Sequence, residues 1–187
     1  MMEKRPDPIV IPARGETAGL GDLSNPLDYI AEDHMREREI CALIDQIGAI
    51  ASFDGVQIDR ILAFLDIQLP QHLADEEIDL FPIMLKRCDP EDEIEKVIAK
   101  LHADHAHART DAPSIAKVIR AIRNPPRKPT PMECDLLTEF ARQARRHLIL
   151  ENAIILPIAR ARLIKEDLKS MADSMRKRRE LLPRLEG

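Results

Sequence analysis

Four long stretches of this chain repeat apolar residues at alternating steps of three and four, the spacing of a buried helix face. In each, the apolar stripe is interrupted at one level by histidine or glutamate. The first reads Leu27, Ile30, His34, Glu37, Cys41, Ile44, and the second Leu65, Leu69, His72, Glu76, Leu80, Ile83. The third reads Ile94, Ile98, Leu101, His105, Ala108, and the fourth Phe140, Ala144, His147, Glu151, Ile154, Ile158. A chain of 187 residues with four such stripes has to bring the interruptions together or leave them unpaired inside a core.

The break signals divide the stripes cleanly. Ser24-Asn25-Pro26 predicts the start of a first helix running to about Ile50. Asp54, with Gln57 three residues on, resembles a capping box for a second helix to about Arg87. Asp89-Pro90-Glu91-Asp92 opens a third to at least Thr110, which Pro113 is expected to end or kink, with a short piece from Ser114 to Arg123 following. Thr130-Pro131-Met132-Glu133 is a capping box that starts a fourth helix to about Arg162, and Lys165 to Arg179 predicts a fifth. With 44% hydrophobic but only 3% aromatic residues, the core must come from Leu, Ile, Val, Ala and Met. The expected fold is all-α, an antiparallel up-down four-helix bundle over residues 24–162. An extended or disordered arm is expected at 1–23 and a basic helical tail at 163–187.

The polar residues carry the chemistry. A buried, unpaired carboxylate costs several kcal/mol, and a marginally stable domain does not hold many. A metal ion resolves that cost, because it pairs carboxylates and accepts lone pairs from neutral imidazoles. Nitrogen and carboxylate donors without thiolate suit iron, manganese or zinc. The pattern is also duplicated. His72-Leu73-x-x-Glu76 followed by Pro82 matches His147-Leu148-x-x-Glu151 followed by Pro157, and each copy is preceded by an Asp-His pair, Asp33-His34 and Asp104-His105. Two such helix pairs about a pseudo-two-fold axis make a site for two metals with vacant coordination positions.

The segments DYIAEDHMRERE, QHLADEEIDLFP, KLHADHAHAR and RRHLILENAIILP resemble the hemerythrin-like (HHE cation-binding) family of non-haem di-iron proteins, over roughly residues 25 to 160. The resemblance implies a hemerythrin-like bundle around two non-haem iron ions with an oxo or hydroxo bridge. Carried over, His34 and His72 bind one iron, His105 and His147 the other, and Glu76 and Glu151 bridge them. Members of the family bind dioxygen, nitric oxide or peroxide, or serve in iron and redox sensing. Oxygen carriers place two histidines four residues apart on the third helix, whereas this chain has His102, His105 and His107. His102 shares a face with His105 and stands as a fifth candidate imidazole; His107 is expected to face solvent.

Three functional classes follow: a module that binds dioxygen, nitric oxide or iron; an enzyme that turns over peroxide, nitric oxide or an oxidisable substrate; or a structural metal site in a partner-binding module. Glu37 is read as an extra ligand, an orienting partner or a rim salt bridge. Asp33 and Asp104 could each accept a ring N–H, but residues adjacent in a helix diverge by about 100°, so they are read as solvated, as is Glu77. Tyr29 is read as a phenol near the site, and Cys41 as a redox-responsive thiolate or, more commonly, a buried, inert thiol. No Glu-x-x-His occurs, which argues against a ferritin-like centre, and no HExxH supports a zinc hydrolase. The net charge of −5 argues against a general nucleic-acid binder, although the segment from Arg160 to Arg184 is basic and includes Arg176-Lys177-Arg178-Arg179. That tail is read as a solvated helix end, or as a site for a protein partner. The three scattered cysteines, and the lack of a signal peptide or apolar span, predict a cytoplasmic protein.

Overall fold

The computed structural model describes residues 23–49 and 54–181. The predicted arm at 1–23 lies almost wholly outside these residues. Helix α1 spans Pro26–Ala49; α2 runs over 55–87, α3 is Ile94–Arg123, α4 runs over 131–162, and α5 is Lys165–Glu180. α1 packs along the first half of α4, and α3 lies against both α2 and α4. The result is the antiparallel four-helix bundle, with α5 added at one end.

The helix starts follow their local chemistry. The Asn25 side chain accepts a hydrogen bond from the Leu27 amide (3.2 Å). Asp54 accepts from Val56 (3.0 Å), without the reciprocal bond expected of Gln57. Thr130 and Glu133 form the full capping box, at 3.3 and 2.8 Å. The third helix starts later than predicted. Pro90–Asp92 forms a single 3-10 turn, and Glu93 then adopts a left-handed backbone (φ 47°) before α3 begins.

Pro113 neither ends α3 nor leaves a separate piece after it: the helix runs unbroken through it. An internal proline costs about 3 kcal/mol. Downstream, Ile115, Ile119 and Ile122 are fully buried, each contributing about 1.5–3 kcal/mol, so packing outweighs the lost backbone bond.

Pro70, Pro82 and Pro157 also lie inside helices, and each follows a π turn: Phe64–Gln68, Asp75–Leu80 and Glu151–Ile155. In a regular α-helix each proline ring would press on the carbonyl four residues back. Here the residue before each proline sends its amide five residues back, Leu69 to Phe64, Phe81 to Glu76 and Leu156 to Glu151. The wider turn carries the helix past the proline, and the buried face slips by one position. Beyond Glu76 the deepest residues are Leu80, Phe81 and Met84, with Ile83 only partly buried. Beyond Glu151 they are Ile155, Leu156 and Ala159 instead of Ile154 and Ile158.

The apolar core is split in two. One cluster gathers Ile40 to Ile47, Ile58 to Leu73, Ala112 to Ile122 and Leu137 to Ala141. The other gathers Leu23 to Ile30, Leu80 to Met84, Ile94 to Leu101, Ile155 to Ala159, and Met171 and Met175 of α5. Between them lies a single polar layer made of His34, Glu37, His72, Glu76, His105, His147 and Glu151, all buried.

Among the described residues the basic tail is not a solvated end. Asp75 is fully buried beside Glu76 on the π turn of α2, and it accepts from Arg179 Nη2 (2.5 Å) and from Arg178. Arg178 also reaches Asp79 (2.7 Å), and Arg179 donates to the Tyr29 hydroxyl (3.3 Å) while stacking over its ring. With Arg176 donating to Asp173 (2.8 Å), three of the four cations in the run are spent within the chain. Removing the two that reach Asp75, as Arg178→Ala with Arg179→Ala, strands a buried carboxylate and is expected to cost about 3 kcal/mol in a denaturant titration. Adding Asp75→Asn to that background is expected to recover part of the loss.

Candidate metal centre

Each helix brings one imidazole to the polar layer, and α2 and α4 each add a glutamate one turn beyond their histidine. Two groups of potential ligand atoms result: His34, His72, Glu76 and Glu151, and Glu76, His105, His147 and Glu151, with the donor atoms of each group within 4.8 Å of one another. Both glutamates belong to both groups. His34 Nε2 lies 3.5 Å from Glu76 and 3.2 Å from Glu151. His72 Nε2 is 3.7 Å from Glu76, His105 Nε2 is 3.2 Å from the same carboxylate, and His147 Nε2 is 3.0 Å from Glu151. The six residues named from the stripes and the resemblance therefore meet in one place.

The donor chemistry fits metal ions. Nine buried side-chain nitrogen and oxygen atoms there have no hydrogen-bond partner, including all four oxygens of Glu76 and Glu151 and both ring nitrogens of His34 and His72. An orphaned buried polar atom costs about 1–3 kcal/mol, and a charged one more. Summed over this layer, that rivals the whole stability of a domain, typically about 5–15 kcal/mol. Cations between the two carboxylates would satisfy the four glutamate oxygens and one ring nitrogen each of His34 and His72 together.

His102 is not brought in. Its ring is about half exposed, 3.5 Å from Glu77, and edge-on to Phe81. His107 is exposed, as expected.

Three carboxylates read as solvated have work at the centre. Asp33 faces His72 Nδ1 (3.7 Å), and Asp104 faces His147 Nδ1 (3.8 Å). Each acid thus serves the histidine of another helix and not its own sequence neighbour, because adjacent helical residues diverge by about 100°. Glu77 holds His105 Nδ1 at 2.8 Å and is itself clamped by Arg109. Burial opposes ionisation of Glu77, but Arg109 and His105 together overcome it and hold its pKa down at about 2. Such partners fix ring orientation and tautomer at metal sites. The duplicated Asp-His dipeptide was the signal for the first two, while Glu77 has no counterpart. The equivalent position after Glu151 is Asn152, which donates to the Leu148 carbonyl instead. Only His105 is held at hydrogen-bond distance; the carboxylates facing His72 and His147 stand further off, and among the described residues no acid faces His34 Nδ1.

Glu37 belongs to neither group. It is buried, and burial raises its pKa. It joins Leu69, Leu73, Ala108, Phe140, His105 and His147 in lining a cavity of about 220 Å³. Burial likewise pushes the Cys41 thiol up to about 12, so it is not a thiolate. Tyr29 points its phenol to Arg179 of α5.

The profile of the hemerythrin HHE cation binding domain matches residues 25–159. The chain belongs to the hemerythrin family. Its two buried His/Glu groups are consistent with a di-iron site. A search among curated proteins finds no match. Among the described residues no helix is long and apolar enough to cross a membrane.

Without metal, the hemerythrin centre holds protons. Burial alone would lower the imidazole pKa values, but the Glu151 and Glu76 carboxylates beside them push His34 and His105 up to about 10. Burial again opposes the shift at His72, and Glu76 and Asp33 raise it to about 9. The folded values exceed the ordinary 6.5, so this stabilisation is complete below pH 6.5 and is lost as pH rises through about 9 to 10. Thermal denaturation of metal-free protein is expected to show a falling midpoint over that window. Metal-loaded protein, whose imidazoles are neutral ligands, is expected to lack this dependence.

Proposed function

We propose that the protein carries two non-haem iron ions in the polar layer, one held by His34 and His72, the other by His105 and His147, with Glu76 and Glu151 bridging. The observation that carries this reading is the set of orphaned buried donor atoms centred on two shared carboxylates. An absence of thiolate donors suits iron in this setting, and family membership supports it. When bound, an iron pair of this kind supplies redox-active Lewis-acid positions for dioxygen, nitric oxide or peroxide. The chain's own residues do the rest. Asp33, Asp104 and Glu77 orient His72, His147 and His105, Phe81 stacks on His105 with ring centroids 5.6 Å apart, and the two apolar clusters exclude water from both ends.

The reading that follows is a protein that binds a small diatomic ligand or iron itself and so senses or buffers it. A second reading, an enzyme acting on peroxide, nitric oxide or an oxidisable molecule, is favoured by the cavity that reaches His105 and His147. A purely structural, closed metal site has no such opening.

Metal analysis tests the proposal directly. Anaerobic loading with ferrous iron is expected to leave two ions per chain, and admission of air to produce near-ultraviolet charge-transfer absorption. Glu76→Ala or Glu151→Ala is expected to lose most of the metal, and normal loading of both variants would overturn the bridging assignment. Asp33→Asn and Asp104→Asn are expected to weaken metal affinity about 10–100-fold, whereas His102→Ala is expected to leave it unchanged in a competition titration.

A further inference from the structure

The cavity between α3 and α4 is graded from floor to mouth. Its floor and walls are buried: Glu37, His105 and His147 at the polar layer, with Leu69, Leu73 and Phe140 beside them. Its mouth is exposed and carries Lys100, Arg142 and Arg146. Two of these cations are engaged, Lys100 with Asp104 (2.9 Å) and Arg142 with Glu139 (2.6 Å). Arg146 makes no hydrogen bond or ion pair among the described residues.

A volume of about 220 Å³ is more than a diatomic ligand needs. A cavity of about 150 Å³ accommodates benzene, so this one has room for an organic molecule on the order of eight heavy atoms. Glu37 is 5% exposed, lines the cavity, and has no hydrogen-bond or ion-pair partner among the described residues.

We infer that this cavity is a binding site for a small organic anion, with its apolar body against Leu69, Leu73 and Phe140 and its anionic head on the free guanidinium of Arg146. Guanidinium groups bind planar carboxylates with two parallel hydrogen bonds, and the carboxylate stays at the wet rim, where its desolvation cost is least. The apolar end is then the part nearest His105 and His147. The His34 and His72 half contributes nothing to the cavity lining. This deepens the enzyme reading by giving its substrate class, and only the relation to the metals rests on the di-iron proposal.

Calorimetric titration of the full chain with hexanoate and with benzoate, in metal-loaded and metal-free forms, tests the inference. Saturable binding of one molecule per chain is expected for at least one of the two. Hexanol is expected to bind at least ten-fold more weakly than hexanoate, and benzyl alcohol likewise against benzoate. Arg146→Ala, a surface change, is expected to weaken anion binding about ten-fold with metal content unchanged. Ala144→Phe, which fills the wall, is expected to abolish it, with circular dichroism confirming the fold. Absence of saturable binding to the unmodified protein, equal affinity for acid and alcohol, or indifference to Arg146→Ala would each overturn the assignment. Anion binding by a chain that takes up no iron would sink the di-iron reading and leave the pocket standing.

Discussion

Two glutamates buried in the middle of a helical bundle set the terms for everything around them. Glu76 and Glu151 have no exposed surface and no hydrogen bond, so they need positive charge from somewhere. Four imidazoles surround them, one from each helix, and the apolar core gives way to make room. The bundle is consequently two hydrophobic clusters held apart by one charged layer. Uncompensated, that layer opposes folding; compensated by metal, it ties all four helices at a single level.

Much of this was legible in the sequence. The stripes showed which helix faces turn inward, and the duplicated His-x3-Glu units showed that the interruptions fall at matching levels. A period of three and four failed just after Glu76 and just after Glu151, and held along the first helix. Ile83, Ile154 and Ile158 were expected in the core and are only partly buried, because the π turns shift the register by one residue. The prolines announced a local irregularity, but a missing amide can yield a kink, a stop or a wider turn, and only packing chooses among them. At Pro113 the choice was a continuous helix, driven by the isoleucines beyond it.

Partners across helices were the least legible features. Asp33 and Asp104 sit beside His34 and His105 in sequence, yet each turns toward a different histidine. Glu77 sits next to Glu76 and was read as solvated, but its ion pair with Arg109 comes from a helix over thirty residues away. His102 shared the stripe with His105 by spacing and lies outside the layer all the same, because Phe81 fills the position between its ring and the core. Periodicity says which side of a helix faces inward; it does not say how deep a side chain reaches.

The pairing of Asp75 with α5 bears on the order in which the molecule can be completed. Asp75 adjoins Glu76 on the same wide turn, and its counter-charges lie 103 and 104 residues further along. A chain emerging from the ribosome presents the second helix early, with its acid unneutralised, and can seal that turn only after Arg178 and Arg179 have appeared. Proteins are made N-terminus first at about 5–20 residues per second, so the bundle waits seconds for its last clasp. In that interval the unfinished turn is open to water and to any cation present, at the edge of the layer where the metal ligands converge.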